Sequence, residues 1–280
     1  MQLFTAKNGC SISNVDLFNA LKRIKADEAE VLFVHSSLNF GSPNINLKKK
    51  ELLQAIMDII LDLGVRTVCM PTFTFSFCNG VSYDPLNSSS KMGVLNEFFR
   101  KQNGVIRSAD PLMSVALFGE DKDLVEGIGH SSCGANSTFD KLRHRNAVKF
   151  LFLGPKIGDC LTYMHYLEWI YSVDYRYERR FVGDVIMDGV TKREEYDLFV
   201  RYNGVIPNAA SYEYEQRMYD RGLAQKISLG DGSISIVDKD SATSQYKDCL
   251  YENPYFFVDF KDGKLVKDKS FFLEKEMVAM

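Results

Sequence analysis

Val31-Leu-Phe-Val-His35 is five residues long and apolar throughout until its last position. An amphipathic strand would alternate; one that is apolar on successive residues buries both faces, which requires cover above and below the sheet. The surrounding sequence supplies that cover. Asn14 is placed to cap an amphipathic helix running to about Lys25, and Asn46 to cap a second from Leu47 to Leu63, which Gly64 ends. Arg66-Thr-Val-Cys-Met70 then reads as a strand, residues 94–101 as a helix, 113–118 as a strand, and 137–145 as a helix. Val148-Lys-Phe-Leu-Phe-Leu153, closed by Gly154-Pro155, repeats the doubly apolar pattern and leads into a helix containing His165. Strands separated by helices predict a three-layer αβα fold around a central mixed sheet. Past residue 175 the pattern changes to an elaborated C-terminal part: hairpin strands at 181–190 and 196–206, a helix at 211–222 and a late strand at 255–260.

At 280 residues with no repeat or linker-like segment, one domain spanning 1–280 is expected. The composition, 45% hydrophobic and 25% charged, is that of an ordinary globular protein. A net charge of −3 and the absence of a basic tract interleaved with aromatics argue against nucleic acid as a partner. No segment is apolar enough to span a bilayer, and Met-Gln-Leu-Phe-Thr-Ala-Lys-Asn lacks the pattern of a secretory signal, so no membrane association and a cytoplasmic location are expected. The six cysteines form no Cys-x-x-Cys pair and the four histidines no ligand spacing, so no catalytic metal is expected.

Ligands of α/β sheets lie off the carboxyl ends of strands. Here those ends carry His35-Ser-Ser-Leu38 and Gly41, Pro71-Thr-Phe-Thr-Phe75, and Gly154 ahead of the His165 helix. Each offers hydroxyls and backbone N–H groups, which either bind a ligand or cap the next helix. Arg107, with Ser108 and Ser114 before a strand, either holds phosphate or pairs with Asp110. No phosphate-loop, zinc-peptidase or serine-esterase motif is present.

These pieces, in this order, resemble the aminoglycoside 3-N-acetyltransferase family. They are Val34-His-Ser-Ser-Leu38 with Gly41; Pro71-Thr-Phe-Thr74; Ser90-Lys-Met-Gly93 with Glu97 and Arg100; Arg107-Ser108, Pro111, Ser114-Val115 and Gly119; Phe150-Leu-Phe-Leu-Gly154; and Thr162-Tyr-Met-His165 with Glu168. The likeness spans residues 30 to 170. It departs at Asp110, where many members have His or Asn, and weakens after residue 175.

The resemblance implies acetyl transfer from acetyl-CoA to a small-molecule amine, with His165 as general base. Glu168, one turn on, or Asp159 would orient the ring. It also implies coenzyme A contacts at His35, Ser36, Ser37, Leu38, Thr72, Phe73, Thr74, Arg107, Ser108 and Ser114. Acceptor contacts are implied at Phe75, Tyr83, Asp84, Glu97 and Tyr163, with 175–280 contributing to the acceptor pocket; a homodimer is compatible with it.

Three other readings stand beside this one. His165 and Glu168 could be a buried pair that only secures a helix. Cys160 or Cys133 could serve as the nucleophile of a Cys–His transferase or amidase. The cleft could bind coenzyme A or a sugar without turnover. Two acceptors stand open: a biosynthetic amino sugar, whose nucleotide-linked form would favour basic residues, and an aminoglycoside polycation of a resistance enzyme, which would favour an acidic pocket. The mixed run Tyr175-Arg-Tyr-Glu-Arg-Arg180 reads first as solvated surface, and only second as a contact for a diphosphate or base, tilting the expectation slightly to the amino sugar.

Overall fold

The computed structural model describes residues 1–270; the last ten residues of the predicted acceptor region lie outside them. The elements run β1 Gln2–Thr5, β2 Ser11–Ser13, α1 Asn14–Arg23, β3 Val31–Ser36, β4 Ser42–Pro43, α2 Lys49–Leu61, β5 Thr67–Pro71, α3 Val94–Phe99, β6 Ile106–Arg107, β7 Val115–Gly119, α4 Thr138–Arg143 and β8 Val148–Leu153. They continue α5 Ile157–Cys160, α6 Tyr163–Ile170, β9 Arg176–Met187, β10 Val190–Arg201, β11 Val205–Pro207, α7 Ala210–Asp220, β12 Ala224–Leu229, β13 Gly232–Asp238, α8 Lys239–Glu252 and β14 Val258–Phe260.

The central sheet has seven strands in the order β12-β13-β8-β3-β5-β7-β6. It is mixed: β8, β3 and β5 run parallel, while β13 against β8 and β7 against both β5 and β6 are antiparallel. Successive residues of β3 enter opposite cores, as the doubly apolar reading requires. Val31 and Phe33 join a cluster with Leu142 of α4, Tyr166 and Leu167 of α6, Met218 of α7 and Tyr246 of α8. Leu32 and Val34 join a second cluster with Leu17 of α1, Ile56 of α2 and Leu95 of α3. Two cores on two faces of one sheet make the three layers.

Several local readings shift. Ser13, not Asn14, caps α1: its Oγ accepts from the Asp16 N–H, and the Asp16 carboxylate accepts from the Ser13 N–H. The hairpin lies earlier than its hydrophobic segments suggested. It turns at Asp188-Gly189, both at positive φ, the geometry such a two-residue connection requires. Strands β12 and β13 and helix α8 were not anticipated. Helix α8 is polar along most of its length and buries Lys239, Gln245, Tyr246 and Cys249 beside Ala242, so its inward stripe carries little hydrophobic signal.

The carboxyl ends of β3, β5 and β8 lie side by side. From β3 the chain moves first to β5 on one side and only later to β8 on the other, leaving a crevice where the winding reverses.

Candidate active site

A cavity of about 580 Å3 occupies that crevice. His35, Ser36 and Ser37 from the end of β3, and Pro71, Phe73 and Phe75 from the end of β5, form one side; α5 and α6 supply Asp159, Cys160, Met164, His165 and Glu168, and the hairpin adds Arg176 and Leu198 to Arg201. Both loops leaving the parallel strands contain a non-glycine residue in the left-handed region, Leu38 at φ 52° and Phe75 at φ 58°. Such conformations cost about 1–3 kcal/mol each and concentrate at functional sites.

Helix α6 sets the central pair. One turn brings the His165 and Glu168 side chains together, with Nδ1 of His165 3.2 Å from a Glu168 carboxylate oxygen. A carboxylate only accepts, so Nδ1 carries the proton of this bond and Nε2 keeps its lone pair. The imidazole is 30% exposed and lines the cavity, whereas Glu168 is nearly sealed. This geometry argues against a bond that merely secures a helix inside the core.

Glu168 has two further partners. Tyr175 OH donates to one carboxylate oxygen at 3.1 Å, and Arg176 Nη2 reaches the other at 2.8 Å. Burial alone would raise the Glu168 pKa, but the Arg176 charge and the bonds from His165 and Arg176 outweigh it and hold the carboxyl at about 2. Arg176 is fixed in turn by donation to the Phe199 carbonyl. Its Nη2 also lies 3.4 Å from the imidazole Nδ1, a charge contact rather than a hydrogen bond, since Nδ1 gives its proton to the shorter bond with Glu168. Burial and this neighbouring charge lower the His165 pKa below its ordinary value, against the opposing pull of Glu168. The ring is therefore neutral at physiological pH and able to accept a proton.

Tyr175 and Arg176 come from the run read as solvated surface, and that reading fails for both: Tyr175 is fully buried and the Arg176 side chain is 8% exposed. The two are adjacent and buried for different reasons: Tyr175, just before β9, packs with Val173 and Tyr202, while Arg176 is drawn in by the Glu168 carboxylate and the Phe199 carbonyl, partners distant in sequence.

Asp159 lines the cavity but does not orient His165. Its carboxylate accepts from the Lys156 N–H and from Tyr212 OH, securing α5. His35 is buried and stacked on Phe152, with ring centroids 4.8 Å apart. Its Nε2 lies 3.2 Å from Thr162 Oγ1, which ties the start of α6 to the end of β3. Its Nδ1 has no partner among the described residues, and burial lowers its pKa to about 3.

The Arg107 group lies elsewhere. Arg107 is half-buried over the Tyr83 ring and donates to Thr72 and Ser114 oxygens and to the carbonyls of Pro85 and Ser88. It binds neither the cavity nor Asp110, whose carboxylate accepts from Leu112 N–H, Met113 N–H and Ser132 Oγ. Thr72, Ser108 and Ser114 are fully buried, as is Tyr83, whose OH donates to the Ser108 carbonyl. Thr74 is buried outside the lining, and Leu38 is also outside it. Glu97 pairs with Arg100, Asp84 caps the turn at 84–88, and Tyr163 packs on Phe150 in the core. The hydroxyl-rich loop after β3 is also less free than its sequence suggests, because Ser37 and Leu38 N–H both donate to the Leu153 carbonyl.

The two thiols at the cavity wall are poor nucleophiles: burial raises both Cys133 and Cys160 far above their ordinary pKa. Among the described residues no cluster of three or more His, Cys, Asp or Glu could hold a metal ion, and no helix is long and apolar enough to cross a membrane.

A family model described as aminoglycoside 3-N-acetyltransferase matches residues 33–250. Solved structures with this fold include AAC-IIIb in a binary complex with CoASH, with TM-score 0.73 and 18% identity over 86% of this chain and 97% of that one. The apoenzyme of aminoglycoside acetyltransferase AAC(3)-IVa gives TM-score 0.69 and 18% identity over 95% and 96%. The YokD protein from Bacillus subtilis gives TM-score 0.71 and 18% identity over 91% and 96%. At these identities the likeness is one of fold. No curated protein matches the sequence.

Proposed function

This chain belongs to the aminoglycoside 3-N-acetyltransferase family, and from that premise we propose that it transfers acetyl from acetyl-CoA to the amino group of an amino sugar, in the cytoplasm, with His165 as general base. The observation that carries this is an imidazole facing the cavity with its Nδ1 3.2 Å from a buried carboxylate.

An amine acceptor is mostly protonated at neutral pH, and only its free lone pair attacks a thioester. Nε2 of His165 takes the amine proton as the C–N bond forms, and Glu168 offsets the imidazolium charge. The C–S bond then breaks, and the imidazolium returns its proton to the departing sulfur. The histidine ends neutral and the products are an amide and a thiol.

The pantetheine arm lies between the loop at 36–38 and the loop at 71–75, where Ser36, Ser37 and Phe73 line the wall. With Arg107 engaged in its own cluster, the exposed Lys91 at the cavity wall is the better contact for a cofactor phosphate. Residues 175–270 shape the acceptor side through Arg176, Leu198 to Asn203 and Asn208. One chain supplies every group named, so the chemistry requires no second copy.

The test is thiol release from acetyl-CoA with and without an amino sugar, with the product weighed by mass spectrometry. Release that needs the amine and yields its N-acetyl derivative is expected. Thiol released without amine, leaving an acetylated enzyme, would instead establish the Cys–His route.

A further inference from the structure

The charges of the cavity bear on which amine it accepts, a question that rests on the acetyltransferase reading above. Among the described residues the lining holds two carboxylates, Asp159 and Glu168. Glu168 is nearly sealed and already takes Arg176, His165 and Tyr175. Asp159 is exposed and takes the Lys156 N–H and Tyr212 OH, neutral donors that leave its charge unmatched, so it is the one lining carboxylate open to a cationic guest. The same wall carries Lys91 and Arg176, so cations already match the carboxylates in number. Arg201 lines the cavity too and has interactions of its own; the balance does not depend on it. Much of the remaining wall is apolar, with Met164, Leu198 and Phe199 near the His165 side.

An amine buried as an ammonium without a carboxylate loses hydration that nothing repays. The one amine to be acetylated escapes this, because it gives up its proton. Of the further amines on a polyamine, Asp159 can pair one and the others stay uncompensated. We therefore propose that the acceptor is an amino sugar with a single amine, its other substituents neutral or anionic, rather than a polyamine aminoglycoside. A phosphate-bearing sugar and an uncharged one share the chemistry that the cavity selects, and the assay separates them.

The experiment measures kcat/KM by thiol release from acetyl-CoA with four acceptors: glucosamine, glucosamine 1-phosphate, a nucleoside-diphosphate-linked amino sugar with a free amine, and gentamicin. His165→Gln is run beside the wild type. The best single-amine sugar should exceed gentamicin by about tenfold or more, the discrimination expected for each ammonium left unpaired. A phosphate-bearing sugar leading the series assigns Lys91 to the acceptor rather than to the cofactor phosphate; glucosamine leading it makes the selection one of exclusion alone. Gentamicin equal to or above every single-amine sugar, with turnover lost in His165→Gln, overturns the proposal and leaves the acetyltransferase reading intact. No thiol release dependent on His165 with any amine overturns both.

Discussion

Arg176 and Arg107 organise two polar clusters with similar wiring. Arg176 reaches the Phe199 carbonyl and the Glu168 carboxylate, which also takes Tyr175 OH; Arg107 reaches the carbonyls of Pro85 and Ser88 and the Thr72 and Ser114 oxygens, over the Tyr83 ring. The first contains an ionised carboxylate and an imidazole that faces a cavity; the second contains only neutral acceptors and faces packed side chains. Residue types that could bind phosphate or move protons are present in both. Access to open space, and a group whose charge state can change, separate a reactive site from a structural knot.

That contrast can be broken by substitution. His165→Gln should reduce kcat by about 10²-fold or more with stability little changed, since the lost group acts on the reacting proton; steady-state kinetics beside a denaturant curve measures both. Glu168→Gln should cost less turnover than His165→Gln, because the base survives without its orienting partner. The same variant carries a stability signature. The Glu168 carboxyl is lowered from 4.5 to about 2 in the fold, so its contribution is fully present above 4.5 and is lost as pH falls towards 2. Glu168→Gln should flatten that part of the pH–stability curve.

Arg107→Met should show the opposite pattern: a loss of about 2–4 kcal/mol in unfolding free energy from carbonyls left unpaired, with kcat per folded molecule unchanged. A large loss of kcat at unchanged stability would return Arg107 to the active site. The smallest effect sharpens the comparison from the other side. Arg176→Gln removes a positive charge beside Nδ1, so the His165 pKa should rise, visible as an upward shift of its imidazole proton titration by NMR.

The parallel half of the fold was readable because its strands are apolar on both faces, and β3 does divide its residues between two cores. The His165–Glu168 contact was readable because helical spacing alone brings the two side chains together. Arg107 was misjudged because a sequence shows a guanidinium without showing how many carbonyls surround it. The C-terminal half hid for a different reason. Strands β12 and β13 do alternate, with Ile227 and Leu229 before Gly230-Asp231-Gly232 and Ile234 and Ile236 after it, a hairpin signal that is short and interrupted by polar residues. Helix α8 and the burial of Arg176 carried little signal of that kind, since their inward faces are polar and their partners are distant in sequence.

A double-variant cycle on turnover tests most directly whether His165 and Glu168 work as one proton-accepting unit. With saturating acetyl-CoA and amine, adding Glu168→Gln to His165→Gln should lower kcat no further, because the carboxylate acts only through the ring. Losses that add in full would mean that the two residues act independently, and would contradict the account.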